Sequence, residues 1–253
     1  MKHYSLVVLF LFTYSCTQLS TKDKRLPSNG TVRILHIGDS QTKGPFGKLL
    51  FDHLSTRGNE VHVLGVSSSS PRHWASVKGE RASNWLCKQT SRYNDSTYKS
   101  HISMKDSLCL DRLPNESVFK KSLDSYRPDL VIFQFLGNSM GRSQKKIKKS
   151  IHALLNTLSD EQGCIFITSP PYYKDLVERN KKRAQTHSYF LDALSSFSDE
   201  PRCDVIEGFK MPSFSSQSDY FYTIKNGKKR GDGMHFNKKG ARRYLDYIID
   251  YLP

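Results

Sequence analysis

Val32-Arg33-Ile34-Leu35-His36-Ile37-Gly38-Asp39-Ser40 is the stretch that decides the architecture of this 253-residue chain. A short apolar run rich in branched side chains stops at a glycine, and a polar turn follows. Residues 32–37 read as a buried strand. Gly38-Asp39-Ser40 read as the turn out of it, with Asp39 as a structural cap at the helix start after Ser40. The same kind of run recurs at 61–66, 129–136, 164–168 and 204–206. Longer helix-like segments separate these runs at about 46–57, 115–126, 142–159, 176–197 and 237–251. Strands alternating with helices imply an α/β fold whose parallel sheet is buried on both faces. Five such strands fit a doubly wound, flavodoxin-like order, in which ligands bind outside the carboxyl ends of the strands. Ser40, Ser68 and Asn138 each follow a strand, so the three fall on that one edge.

A serine hydroxyl is a poor nucleophile until a base takes its proton, and the base needs a third group to hold its tautomer. Ser40 supplies the hydroxyl. Asp232-Gly233-Met234-His235, just before the final helical segment, sets an acid and a base three residues apart on one short turn. Gly137-Asn138 follows the middle strand and offers a side-chain amide to an oxyanion. His235 must be neutral to act as the base, and an ordinary histidine titrates near pH ~6.5.

Gly-Asp-Ser after the first strand, Gly-Asn after a middle strand and Asp-x-x-His before the last helix, in that order, resemble the motif blocks of the SGNH, or GDSL-like, hydrolase family. The match covers most of residues 32–251, at those blocks. The resemblance implies a three-layer α/β/α fold and an esterase or lipase-like activity. It implies Ser40 as nucleophile, His235 as base and Asp232 as its orienting partner. It also assigns the oxyanion hole to the backbone amide of Ser40 and the side chain of Asn138. One block departs from the pattern. The family has a glycine a few residues after its second strand, whose amide completes the hole, and here Ser68 stands at that place in Leu64-Gly65-Val66-Ser67-Ser68-Ser69-Ser70. A serine still offers its N–H, but it is strained if the position demands positive φ.

Gly137-Asn138-Ser139-Met140-Gly141 also spells the G-x-S-x-G nucleophile elbow of another hydrolase class, which makes Ser139 a rival of Ser40. Two features count against Ser139. That class keeps its acid and histidine on separate loops, and it needs an upstream oxyanion loop that this chain lacks. Residues 68–114 form a long polar stretch with weak periodicity, the signature of a functional loop or small subdomain. Within it Trp74 reads equally as a flat platform for a sugar ring and as a core residue pinning the insertion. His73 beside it reads as structural. The stretch 208–231, with Phe209, Phe214, Tyr220, Phe221 and Tyr222, reads as one wall of the cleft or as a loop pinned by its aromatics.

Met1-Lys2-His3 followed by Ser5-Leu6-Val7-Val8-Leu9-Phe10-Leu11-Phe12 has the form of a secretory signal, and 1–16 is assigned to it. Cys16 stands where a lipoprotein signal places its acylated cysteine; cleavage by the ordinary route is the alternative. Residues 17–31 read as a polar linker, and 32–253 as one domain long enough to bury a full core. No run is long enough for a comfortable membrane span. An exported chain is therefore expected, held to a membrane only through Cys16. Without Cys16, Cys87, Cys109, Cys164 and Cys203 remain, an even number that suggests two disulfides. Cys87–Cys109 is the preferred pair, while Cys164 and Cys203 also read as buried free thiols. No C-x-x-C or H-x-x-x-H pair suggests a metal, and no cofactor is expected.

The formal charge is +15. It is densest at Lys145-Lys146-Ile147-Lys148-Lys149 and from Lys225 to Arg230. Such a charge favours anionic surroundings, and anionic glycans, cell-wall polymers or phospholipid surfaces are the natural partners. With export, it makes an acylated envelope glycan the expected ester substrate, beside an anionic envelope surface. Charge alone also suits nucleic acid, but no nucleic-acid motif accompanies it and the signal argues against it.

Overall fold

The computed structural model describes residues 30–88 and 107–253. The candidate signal with Cys16, the linker up to residue 29, and 89–106 of the insertion lie outside the described residues. The chain begins with β1 (Arg33–Gly38), a single helical turn α1 (Ser40–Lys43), α2 (Pro45–Ser55) and β2 (Glu60–Gly65). Three short helices follow, α3 (Pro71–Ala75), α4 (Arg81–Lys88) and α5 (Ser107–Leu110), then α6 (Val118–Tyr126). The second half runs β3 (Leu130–Phe135), α7 (Gln144–Leu155), β4 (Gly163–Thr168), α8 (Val177–Ser195) and β5 (Asp204–Ile206). It closes with α9 (Ser218–Phe221), strands β6 (Thr223–Lys225) and β7 (Lys228–Arg230), and α10 (Lys238–Ile248).

Strands β1 to β5 form one parallel sheet in the order β2-β1-β3-β4-β5. This is the expected flavodoxin-like winding, with the order reversing beside β1. Alternate residues of each strand serve opposite cores. On one face Leu35, Ile37, Val131, Phe133 and Phe166 pack with Phe119 of α6, Ile151 and Leu154 of α7 and Phe190 of α8. On the other, Ile34, Ile132, Ile165 and Ile167 pack with Phe46 and Leu50 of α2 and Tyr244 and Ile248 of α10. The result is the expected three-layer α/β/α sandwich. Gly38 is level with Gly65 on one side and with Gln134 on the other. The loops that follow β1, β2 and β3 therefore leave the sheet side by side.

The insertion contains more order than its composition suggests. Cys87 of α4 is bonded to Cys109 of α5, and Val77 bridges Ser117. Cys164 of β4 and Cys203, just before β5, form a second disulfide. The reading of those two as free thiols is thereby corrected. Each partner sits at the start of an adjacent parallel strand, so the two cysteines are held side by side. The stretch 208–231 also differs from a plain loop, because β6 and β7 pair as an antiparallel hairpin. Its turn is Asn226-Gly227, both at positive φ (51° and 68°), the combination that two-residue hairpins favour. Among the described residues no helix is long and apolar enough to cross a membrane.

Candidate active site

Gly38 ends β1 where the chain must turn tightly against its neighbour. A Cβ there would lie 2.7 Å from the Gln134 carbonyl oxygen and would also strike Thr42, so any larger residue would push β1 away from β3. Asp39 then caps α1, its Oδ1 accepting from the Gln41 amide at 2.9 Å. This fixes Ser40 at the first position of the turn, at the carboxyl edge of the sheet. Beneath it His36, Thr42 and Gln134 form a buried polar cluster, with Thr42 Oγ1 donating to Gln134 Oε1 at 2.7 Å. Burial pulls the His36 imidazole down to about 3, so it is neutral and cannot compete as a charged group.

The Asp232–His235 turn is brought to Ser40 from the other end of the chain. Gly231 and Gly233 have φ of 125° and 72°, which lets four residues bend back on themselves. Asp232 Oδ1 accepts from the Met234 and His235 amides at 2.8 and 2.9 Å, closing the turn on its own side chain. Its Oδ2 lies 2.7 Å from His235 Nδ1. His235 Nε2 lies 2.9 Å from Ser40 Oγ. Two outside bonds lock this loop in place: Gln41 Nε2 donates to the Met234 carbonyl at 3.0 Å, and the Tyr173 amide donates to the Gly233 carbonyl at 2.8 Å.

A carboxylate only accepts hydrogen bonds, so the proton on His235 belongs on Nδ1 and leaves Nε2 as acceptor for the Ser40 hydroxyl. Burial pushes the Asp232 carboxyl up, but the bonds from the His235 backbone and ring and from the Met234 amide outweigh it and hold the group below its ordinary value. It is therefore ionised at neutral pH. The three side chains make a continuous hydrogen-bonded line.

Asn138 sits on the one-turn helix Gly137–Ser139 that follows β3. Its Nδ2 donates to Asp39 Oδ2 at 3.2 Å. A carboxamide nitrogen carries two hydrogens, so this bond orients the group and leaves one N–H for a ligand. Asp39 thus does two things, capping α1 and aiming Asn138. It is 3% exposed, and burial pushes its carboxyl up to about 6 against the bonds from Gln41 and Asn138 and the charges of Arg183 and His235. Ser68 has φ of 61°, the left-handed conformation that a glycine would adopt without strain. Ser40, Ser68, Asn138 and His235 line one cavity of about 250 Å³. A larger depression of about 490 Å³, lined by Arg33 and Asp129 among others, lies at the opposite edge of the sheet, away from this constellation.

The left-handed serine gives a direct prediction. Ser68→Gly relieves about 1 kcal/mol of strain and loses a comparable amount to the freer unfolded chain. The melting temperature should barely move and ester hydrolysis should be kept or raised. Ser68→Val puts a branched side chain in the left-handed region and should lower both. A glycine variant with much reduced turnover would show that the Ser68 side chain, rather than its backbone, matters to the cavity.

One sequence reading is corrected here, and one pair of alternatives is decided. Trp74 is fully buried, with its indole N–H donating to Ser69 Oγ at 3.1 Å. No face is available for a sugar ring, because the indole fills the core beneath the insertion. The aromatics of 208–231 do not line the cavity. Phe214 and Phe221 are buried against the Phe46 and Tyr244 side of the core, so they pin the loop that carries Asp232 rather than forming a cleft wall. His73 is structural as expected, its Nδ1 accepting from the Ser70 amide at 3.0 Å and its ring lying against Trp85. Ser139 is buried one residue past Asn138, outside the cavity lining, while His235 is bonded to Ser40.

Three cavity residues were not legible in advance: Gln41, Tyr172 and Arg183. Arg183 belongs to α8 and is 1% exposed, with its guanidinium 4.1 Å over the Tyr172 ring and Nε donating to the Pro170 carbonyl. A Cβ on Gly137 would strike both Arg183 and the Tyr172 hydroxyl, at 2.5 Å for the latter, which explains the glycine before Asn138. In the sequence Arg183 is one more cation in Lys181-Lys182-Arg183, and nothing marks it as the inward one.

No protein-family model matches the chain, and no curated protein matches it. Solved structures do. A candidate platelet activating factor from Streptococcus pneumonia aligns with a TM-score of 0.54 at 12% identity, covering 89% of this chain and 86% of its own. A DUF4886 family protein from Bacteroides uniformis ATCC 8492 aligns with 0.53 at 13% identity, covering 88% and 82%. TesA aligns with 0.50 at 12% identity, covering 86% and 96%. At such identities the likeness is one of fold, and it extends over 86–89% of the chain.

Proposed function

We propose that this chain, with its SGNH-type fold, is an exported serine esterase that works through Ser40, His235 and Asp232. The observation that carries this reading is the unbroken line from Asp232 Oδ2 through His235 to Ser40 Oγ, with links of 2.7 and 2.9 Å. Ser40 attacks an ester carbonyl while His235 Nε2 takes the hydroxyl proton. Negative charge gathers on the former carbonyl oxygen and is held by the Ser40 and Ser68 amides and the free N–H of Asn138. The intermediate collapses, and His235 gives its proton to the departing alcohol. Water then repeats the sequence on the acyl-enzyme, with His235 as base, and releases the acid. Asp232 stays ionised and holds the imidazole throughout.

The preferred substrate is an O-acetyl group on a cell-envelope glycan. The cavity is small, about 250 Å³, and hydroxyl, amide and imidazole groups ring the nucleophile, which suits a short acyl group. A lipid ester needs a long apolar groove beside the nucleophile, and among the described residues no such groove joins this lining. Export is supported by the signal-like first residues and by two disulfides, which persist in oxidising compartments.

Hydrolysis of a simple aryl acetate by the purified protein tests the reading directly. Asn138→Ala should lower kcat by roughly 10²–10³, the usual cost of one oxyanion donor, and change KM less. Loss of affinity with normal kcat would remove Asn138 from that role. No turnover on aryl acetates or acetylated glycans would favour a binding module over an enzyme.

A further inference from the structure

A second concave surface lies beside the cavity. It has a volume of about 400 Å³ and is lined by Arg72, Arg142, Lys146 and Lys149, with Glu80 as its one carboxylate. Arg72 comes from α3, Lys146 and Lys149 from α7, and Arg142 from the turn before α7. Among the described residues no ion pair engages any of these four cations. Burial pulls the Arg142 guanidinium below its ordinary value, and the neighbouring charge of Arg72 adds to this. His73, which faces the same two arginines, is held at about 4 by burial and then by their charges, so it is neutral. Glu80 shows no comparable pairing. Four cations thus face one carboxylate, which among the described residues forms no ion pair with them, and such a concave cluster concentrates anions.

Its position links it to the esterase cavity. Ser68 and Arg72 are four residues apart on the loop after β2, and Asn138 and Arg142 are four apart on the loop after β3. Four residues span at most about 14 Å. Each of these two segments therefore contributes residues to both the cavity and the basic surface.

We propose that the basic surface between α3 and α7 is a subsite for an anionic polysaccharide, the polymer whose acyl ester reaches Ser40. The link to Ser40 rests on the esterase reading above; the binding of an anionic polymer does not. Arg72 and Arg142 engage acidic groups nearest the cavity, and Lys146 and Lys149 extend the track along α7. A carboxylated or sulfated polymer satisfies four cations at once, which a single small anion does not.

The test uses the full chain carrying Ser40→Ala, so that ligand is not consumed, and follows binding by calorimetry. The probes are a short oligogalacturonate, a short heparin-derived oligosaccharide and a neutral malto-oligosaccharide of equal length. At least one anionic probe should bind, weaken steeply with added salt, and exceed the neutral one. Adding Arg72→Ala, Arg142→Ala and Lys146→Ala should weaken it about tenfold or more, with the melting temperature unchanged. Lys146→Glu alone should weaken it in the same direction. Binding that ignores these substitutions, equal binding of the neutral sugar, or no binding of either anionic probe would overturn the subsite. So would capture by phosphatidylglycerol vesicles that the same variants abolish, with no oligosaccharide bound. Charge-sensitive oligosaccharide binding by a protein that hydrolyses no ester would keep the subsite and sink the esterase.

Discussion

Ser40→Ala is expected to reduce hydrolysis of an aryl acetate by at least about 10⁴-fold while the protein melts as before. One oxygen is removed from the start of α1, and Asp39 still caps the helix through the Gln41 amide. What remains is the oxyanion donors acting on water, which account for a small residue of rate in serine hydrolases that lose the nucleophile. Ser139→Ala serves as the contrast. Ser139 is buried outside the cavity lining, so its loss should leave activity within about twofold and cost at most about 1 kcal/mol of stability. The reverse pattern, with Ser40→Ala active and Ser139→Ala dead, would mean that the elbow-like motif carries the chemistry and that the bond from His235 to Ser40 is incidental.

Asp232→Asn should lower kcat by about 10³–10⁴-fold, and the geometry gives the reason. The asparagine Oδ1 can keep accepting from the Met234 and His235 amides, which Asp232 Oδ1 holds now. The turn therefore survives. Its nitrogen must then face His235 Nδ1, where the carboxylate oxygen now lies at 2.7 Å. A carboxamide nitrogen donates, so Nδ1 has to accept and the ring proton moves to Nε2. A protonated Nε2 cannot take the Ser40 proton. Stability should change in a pH-dependent way. The Asp232 carboxyl titrates below its ordinary 3.8 in the folded protein, so its ionised form adds stability above that pH. That contribution is lost as pH falls through the lowered folded value. The gap in melting temperature between wild type and Asp232→Asn should thus exist at neutral pH and close in strong acid. An Asp232→Asn protein with normal turnover would show that this pair does not drive the reaction.

Asp39 illustrates how a site and a fold compete. Its carboxyl is almost fully buried and is pushed up to about 6, so keeping it charged at neutral pH costs stability. Oδ2 nevertheless meets the Asn138 side chain across 99 residues of sequence. A local reading finds only the cap, because the second partner arrives from another strand. The hairpin at 223–230 was missed for a different reason. Asn226-Gly227 is a strong turn signal, but the flanking Thr223-Ile224-Lys225 and Lys228-Lys229-Arg230 have no alternating apolar face and read as a charge run.

The sheet and its site-bearing edge are legible in the amino-acid order alone. Five short branched-apolar runs separated by amphipathic segments admit few arrangements other than a doubly wound parallel sheet, and Ser40, Ser68 and Asn138 each follow a strand of it. Backbone chemistry carries that information locally, through periodicity and through glycines at turns. Whatever depends on which side chain faces inward is settled by long-range packing. It put Trp74 in the core instead of the cleft, since an indole is equally suited to either. It joined Cys164 to Cys203, because only sheet register brings those strand starts together. It turned Arg183, one cation in a run of three, into a buried lining residue of the cavity. It also gave Ser68 its left-handed backbone, a conformation imposed by the loop that must leave β2 beside β1.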